Sequence, residues 1–456
     1  MQTNFSAAQL ADPEIAVADK ILRSCVHCGF CTATCPTFVT VGDEDDSPRG
    51  RIYLIKDMLE TGAPASTPVA FHLDRCLSCL ACMTTCPSGV DYMHLIDHAR
   101  VVVETTYRRP LHDRLLRAVL AAILPYPDRL RLALRGAAIG GIAAGLIGGS
   151  SVMSQRLRAM FKLAPGRLPP AGATERPGVF PAIGERRARV ALLAGCAQQV
   201  LDPGIHDATI RLLTRMGIEV VVAKGAGCCG ALTHHLGKHA AALDFARANV
   251  AAWTRELDTT GLDAIVTDTS GCGTVLKDYG FLLRETPLAA EAARIAALAV
   301  DITELLARFD YQPSRAMERP IVIAYHAACS LQHGQRVTDA PKSLLRRAGF
   351  TVVEPRDPHL CCGSAGTYNL LQPEIADQLR QRKLDTIMPL KPNAIAGGNI
   401  GCLTQLAGAG LPTIHTVALL DWMAGGPRPA ALPSDAAIEA TRPVAAAFMD
   451  EESTWT

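Results

Sequence analysis

Apolar positions along the chain keep two different rhythms. In residues 13–24, Ile15, Ala18, Ile21 and Leu22 recur at helical spacing behind Pro13, a residue suited to a first helical turn, and predict a short helix. Residues 49–60 are amphipathic in the same way, so the first 107 residues read as all-α, and 111–124 repeat the pattern in the stretch that follows. Past residue 188 the rhythm changes to short apolar runs of strand length at 189–195, 218–223 and 263–268, separated by helix-length stretches. The same succession returns at 321–325, 350–354 and 393–396. Strands alternating with helices predict a parallel sheet, which gathers strand ends and helix starts along one edge. The expected architecture is multidomain α+β: an all-α module at 1–107, a helical connector at 108–187, two duplicated α/β units at 188–318 and 319–428, and a tail at 429–456. Within the connector, Pro125 and Pro127 interrupt the helical pattern, and residues 164–187, rich in Pro, Gly and Arg, read as linker.

Cysteine usage gives these segments chemistry. All 16 cysteines fall in motifs. Cys25, Cys28, Cys31, Cys35 and Pro36 spell C-x2-C-x2-C-x3-C-P, and Cys76, Cys79, Cys82, Cys86 and Pro87 spell it again. This is the two-cluster ferredoxin run, in which three close thiolates hold one [4Fe-4S] cube and the fourth cysteine reaches the neighbouring cube. The crossed pairing assigns Cys25, Cys28, Cys31 and Cys86 to one cluster, and Cys76, Cys79, Cys82 and Cys35 to the other. The competing metal for C-x2-C pairs is tetrahedral zinc, which has no use for a regular third and fourth cysteine before proline in two copies. The 51 residues from Cys25 to Cys76 exceed what a minimal two-cluster ferredoxin needs, in keeping with a helical module. His27, beside a complete thiolate set, is read as a surface or supporting group.

The other eight cysteines define the repeat. Cys196 to Cys329 and Cys228 to Cys361 are each 133 residues apart, as are Cys229 and Cys362, while Cys272 and Cys402 are 130 apart. Each unit places one cysteine beyond its first strand, a Cys-Cys-Gly beyond its second and a last cysteine beyond its third, so all four thiols can meet at the sheet edge. Gly230 and Gly363 permit close backbone approach there. Ligation of a metal or of one or two further clusters, redox-active thiols and inert buried cysteines all remain open for this set.

Lys plus Arg number 45 against 44 Asp plus Glu, a net charge of +1 that carries no nucleic-acid signature. Between Arg108 and Arg167, however, eleven basic residues face only Asp113 and Asp128. The 20 uncharged residues from Gly136 to Gln155 include six glycines and would enter lipid weakly. A helical linker, a basic amphipathic element on an anionic membrane face, and a membrane span are the three readings of this stretch. The opening residues lack a basic and apolar leader pattern, which with thiolate-held iron predicts the reducing cytoplasm. No G-x-G-x-x-G joins a strand to a helix, and no general base pairs with a substrate-binding arginine. No catalytic residue is assigned, and any dehydrogenation is expected on another chain.

Two ferredoxin runs followed by two Cys-Cys-Gly units resemble the iron-sulfur subunit of bacterial glycolate oxidase (glycolate dehydrogenase). Ser47-Pro48-Arg49-Gly50-Arg51, the stretch 357–371 around Cys361-Cys362-Gly363, and Gly398-Asn399-Ile400-Gly401-Cys402 are similar to that family in particular. The resemblance is shared more loosely with the iron-sulfur subunit of anaerobic glycerol-3-phosphate dehydrogenase, with lactate-utilisation proteins and with a heterodisulfide reductase subunit. It implies two FAD-binding-type partner subunits, one oxidising glycolate to glyoxylate, and electron exit towards quinone and the respiratory chain. FAD is then expected on the partners, not on this chain, which would sit in the cytoplasm with peripheral contact to the inner membrane. The eight ferredoxin cysteines match the family's cluster ligands one for one. Thr269 and Asn399 stand where heterodisulfide reductases carry a fifth cysteine in each unit, which excludes five-thiolate ligation and counts against a disulfide-reducing enzyme. An iron-sulfur subunit of a lactate or glycerol-3-phosphate dehydrogenase is the nearer alternative.

Overall fold

A computed structural model of the chain describes residues 1–144, 149 and 151–434. Residues 429–434 of the expected tail and parts of the uncharged run 136–155 are within it; the remainder of both lies outside the described residues.

The first 107 residues form eight helices and one 3-10 turn, with no strand among them. Helix Pro13–Ser24 starts where Asp12 accepts from the Glu14 amide at 2.9 Å, with proline in the first turn, and it buries Ala18, Ile21 and Leu22. Helix Pro48–Thr61 is capped by Ser47 at 3.0 Å, buries Ile52, Ile55, Met58 and Leu59, and stops at Gly62, whose φ of 63° suits glycine. These faces pack on helices Thr67–Asp74 and Tyr92–Thr106 around Leu73, Leu95 and Ile96.

The connector supplies helices Leu111–Ile123, Pro127–Ala144 and Val152–Leu163, broken at the expected prolines. Part of its basic excess is paired inside the molecule, while Arg108, Arg114, Arg129, Arg135 and Arg167 stay exposed. Buried Asp113 receives Arg117 at 3.1 Å, Arg156 at 2.7 Å and Arg109 at 3.4 Å, while Arg109 and Arg117 also reach Asp74 at 2.6 and 2.7 Å. Arg131 pairs with Glu175, and Lys162 with Asp377 at 2.9 Å. The connector is thus strapped to both ends of the chain. No helix of the described residues is long and apolar enough to cross a membrane.

One sheet contains β1 (Gly178–Phe180), β2 (Ala188–Leu192), β3 (Ile218–Val222), β4 (Ala264–Thr267) and β5 (Ala299–Asp301), in the order β1-β3-β2-β4-β5. All pairs are parallel except β1 with β3; Val190 lies opposite Val220 on one side and Ala264 on the other. The second holds β6 (Val322–Tyr325), β7 (Thr351–Val353), β8 (Ala394–Gly397) and β9 (Thr413–His415), all parallel, in the order β7-β6-β8-β9. The order β3-β2-β4-β5 reappears as β7-β6-β8-β9. Six strands are those expected from the sequence; β5 and β9 extend each unit by a fourth. The linker reading of 164–187 needs correction, since β1 joins the first sheet from within it. A three-residue edge strand whose Val179 is exposed carries too little periodicity to register in the sequence. The two units share one core: Val190, Leu192, Leu212 and Val266 belong to the same buried cluster as Ile323, Tyr325, Leu345 and Leu420.

Candidate metal centres

Helix Pro13–Ser24 delivers Cys25, and helix Thr67–Asp74 leads to Cys76. After each, the backbone takes the same unusual path: His27 (φ 55°) and Gly29 (φ 84°) in the first loop, Ser78 (φ 50°) and Leu80 (φ 61°) in the second. Left-handed residues interspersed in a loop turn its amides inward and make anion-binding concavities, and three of these four lack glycine's freedom. Such strain held twice at matching positions marks a site rather than a turn. Prolines 36 and 87 end the runs, and Pro36 opens helix Pro36–Val41 with Cys35 at its cap.

The thiols surround two concave spaces. One, of about 440 Å³ including its mouth, is lined by Cys25, Cys28, Cys31 and Cys86; the other, of about 310 Å³, by Cys35, Cys76 and Cys79, and Cys82 lies on both. Apart from Cys82, which lines both, the thiols of each space belong to one of the two crossed sets. Burial and the neighbouring Cys25 and Cys35 thiols push Cys31 up to about 11, and burial lifts Cys79 and Cys82 well above the ordinary thiol range. Thiols confined together cannot all ionise without a cationic centre to offset them, which is the fit expected of iron-sulfur ligands.

Around the second space lies a charged frame that the sequence reading passed over. Arg51, 1% exposed, points Nη1 to 4.0 Å from Cys35 Sγ and 3.2 Å from Thr37, with Nη2 3.2 Å from fully buried Asp46. Asp46 also holds Arg75 at 2.7 Å and His72 at 3.1 Å. Burial alone would lower the Arg51 guanidinium, yet Cys76, Tyr92, Cys35 and Asp46 raise it well above its ordinary value. The Tyr92 hydroxyl donates towards Cys76 Sγ at 3.8 Å. His27 turns Nε2 towards Met1 Sδ at 3.4 Å and stands on the rim of the first space.

In the two α/β units every cysteine lies beyond the C-terminal end of a strand, at the expected sheet edge: Cys196 and Cys329 after β2 and β6, the adjacent pairs after β3 and β7, Cys272 and Cys402 after β4 and β8. Here the thiols touch. Cys228 Sγ is 3.6 Å from Cys196, Cys229 is 3.1 Å from Cys272, and Cys361 is 3.8 Å from Cys329. Gly230 (φ 88°) and Gly363 (φ 89°) follow the pairs, and a Cβ on Gly363 would stand 2.5 Å from the Ala376 carbonyl. The departures from a fifth cysteine have structural duties: Asn399 accepts from the Gly401 and Cys402 amides at 2.9 and 3.3 Å, and Thr269 donates to Gln198.

The second unit holds a group that the sequence reading missed. His326, 1% exposed, has no oxygen or nitrogen partner for either ring nitrogen, and it presents one nitrogen to Cys362 and Cys402 with the three ligand atoms within 4.8 Å of one another. Aligning the repeats would have exposed it, because Leu193 occupies the matching position three residues before Cys196.

The all-α module sits on both units. Asp97 meets His234 at 3.1 Å, and His94 bridges Asp91 at 2.6 Å and Asp278 at 2.9 Å. On the second unit, Thr84 meets His333 at 2.7 Å, and Leu77, Cys79 and Ala81 share an apolar cluster with Cys361, Tyr368 and Ile375. A thiol of the second ferredoxin loop therefore shares an apolar cluster with Cys361 and Cys329 of the second unit.

Residues 24–90 match the model of a 4Fe-4S dicluster domain, and residues 190–277 and 323–407 each match that of a cysteine-rich domain. The chain is 42% identical over 416 residues to the glycolate oxidase iron-sulfur subunit of Escherichia coli, spanning 91% of this chain and 97% of that one. It is 32% identical over 397 residues to a probable glycolate oxidase iron-sulfur subunit of Bacillus subtilis, spanning 84% and 88%. Lactate utilization protein A of an Exiguobacterium is 26% identical over 48% of this chain and 89% of its own. Among solved structures, a hypothetical protein from Helicobacter pylori shares the fold, with a TM-score of 0.50 at 10% identity over 91% of this chain and 73% of that one.

Proposed function

The chain belongs to the family of glycolate oxidase iron-sulfur subunits, and from that premise we propose that it relays electrons from a flavoprotein partner, which oxidises glycolate to glyoxylate, towards the respiratory chain. One observation carries the reading: two thiol-lined spaces meet at Cys82, and the second continues through Cys79 to the thiols of the second unit. Cys25, Cys28, Cys31 and Cys86 would hold one [4Fe-4S] cluster, and Cys35, Cys76, Cys79 and Cys82 the other. When bound, these clusters supply one-electron transfer. The chain's own residues then fix the spacing, exclude water with Ile52, Leu77, Leu80 and Tyr92, and place the Arg51 cation beside one cluster.

In this assignment residues 1–107 form the relay module, 108–187 strap it to the repeats, and 188–318 and 319–428 are units whose eight cysteines, Cys196, Cys228, Cys229, Cys272, Cys329, Cys361, Cys362 and Cys402, bind further metal. FAD resides on two partner subunits, and quinone is the acceptor class, reached from the cytoplasmic face of the inner membrane. Dye-linked glycolate oxidation tests the division of labour: the purified chain alone should give no turnover, and adding the flavoprotein partners should restore it. Turnover by this chain alone, or anaerobic material carrying no iron and acid-labile sulfide, would overturn the relay.

A further inference from the structure

In the second unit, five candidate ligands stand together where the first has four. Cys329, Cys361, Cys362 and Cys402 repeat the first unit's thiols; His326 has no counterpart, its place being taken by Leu193. His326 is fixed as part of the sheet edge. It directly follows β6, and its amide donates to the Ala396 carbonyl on β8 at 2.7 Å. Gly397 leaves room beside it, since a Cβ there would come to 3.3 Å from the His326 carbonyl. The ring is thereby aimed at two cysteines, with both of its nitrogens buried and neither given an oxygen or nitrogen partner. A buried imidazole without an oxygen or nitrogen partner carries a desolvation cost unless something else takes its lone pair. The first unit has no such cost, because leucine sits there.

Distance decides what could take that lone pair. Donors about 2.0–2.3 Å from a tetrahedral ion lie roughly 3.3–3.8 Å from one another. The nitrogen of His326 and the sulfurs of Cys362 and Cys402 all fall within 4.8 Å, and the neighbouring Cys361 and Cys329 sulfurs are 3.8 Å apart. The ferredoxin thiols instead line two concave spaces. Donors of mixed nitrogen and sulfur type converging this closely suit one borderline-soft divalent ion.

We propose that His326, Cys362 and Cys402 bind a single zinc-class ion in the second unit, with Cys361 the nearest further thiol. The ion ties the β6 end, the β7 loop and helix Ile400–Leu406 together beside the loop that carries Cys79. It makes the two repeats chemically unlike, and it does not depend on the relay assignment, because iron reports the ferredoxin loops and zinc reports this site.

The experiment is metal analysis of the full chain, purified anaerobically and dialysed against chelator, as wild type, His326→Ala, Cys402→Ser and His326→Cys. Expected are about one zinc per chain in wild type, near-complete zinc loss in the Ala and Ser variants at unchanged iron, and retention in His326→Cys, where a thiolate replaces the imidazole. Cobalt substitution adds a readout of ligand type: the visible bands of the cobalt-loaded wild type should shift in His326→Cys. Unchanged iron in each variant shows that the chain has folded. Wild-type protein without zinc, zinc unaffected by His326→Ala, or a loss of about four irons in that variant would overturn the proposal.

Discussion

Removing the Arg51 cation should lower the reduction potential of one cluster and largely spare the other. Its Nη1 is 4.0 Å from Cys35 Sγ in a fully buried setting, so the interaction is not quenched by solvent. Two unit charges at that distance attract by about 4 kcal/mol at an effective dielectric near 20. The electron added to a cluster spreads over the whole cube, so about half of that, ~2 kcal/mol, is the expected loss, or roughly 90 mV for a one-electron couple. Asp46 keeps Arg75 at 2.7 Å and His72 at 3.1 Å after Arg51→Met, which limits the structural cost and leaves its negative charge to deepen the shift. The assay is an anaerobic redox titration of the whole chain followed by electron paramagnetic resonance, with Arg51→Lys as the variant that keeps the charge. One couple should fall by roughly 90 mV in Arg51→Met and by no more than about 30 mV in Arg51→Lys. Two couples both unmoved within about 20 mV, at unchanged iron content, would refute the electrostatic reasoning.

The crossed ligand sets predict that Cys86→Ser removes the resonance of the same cluster as Cys28→Ser, with a loss of about four irons in each; a different cluster lost in each variant would mean local pairing. His94 links the all-α module to the first unit: burial alone would lower it, but Asp278 and Asp91 raise it to about 9. Because the folded value lies above the ordinary 6.5, its stabilisation is complete below about pH 6.5 and disappears as pH rises through about 9; thermal midpoints should fall over that window in wild type and stay flatter in His94→Gln. Gly363→Ala should cost more than Gly230→Ala in urea unfolding, since both carry about 1–2 kcal/mol for the left-handed backbone but the added Cβ lies 2.5 Å from a carbonyl in the first and 3.1 Å in the second. Equal costs would show that the helix behind Gly363 shifts to make room.

Much of the fold was legible because its signals are local. Helix Pro13–Ser24 announced itself through proline, cap and spacing, and six strands through runs of Val, Ile and Ala. The runs of four cysteines pointed to the thiols that line the two spaces, because two-residue gaps leave the chain few ways to close around them. What escaped is made by tertiary contact. β1, β5 and β9 are three residues each, and they become strands only because a neighbour offers an edge. Nothing local in 108–167 says that Arg109, Arg117 and Arg156 turn inward to Asp74 and Asp113 while other basic residues of the stretch stay exposed. Arg51 was visible in the sequence as part of a short motif, but nothing local says that it is buried beside Cys35. His326 lay one alignment column away from notice.

The common interior of the two repeats constrains how this protein can change. Residues from both copies fill a single apolar cluster, and Arg211 and Arg215 of the first copy grip Asp421 of the second at 2.6 Å each. A chain cut after the first copy would leave half an oily interface facing water and an arginine pair without its acid. Duplication usually frees one copy to drift or disappear; here each copy has become the other's inner wall. Exchange of a single repeat between relatives should therefore fail where exchange of both together succeeds, and natural variation across that seam should move in matched steps.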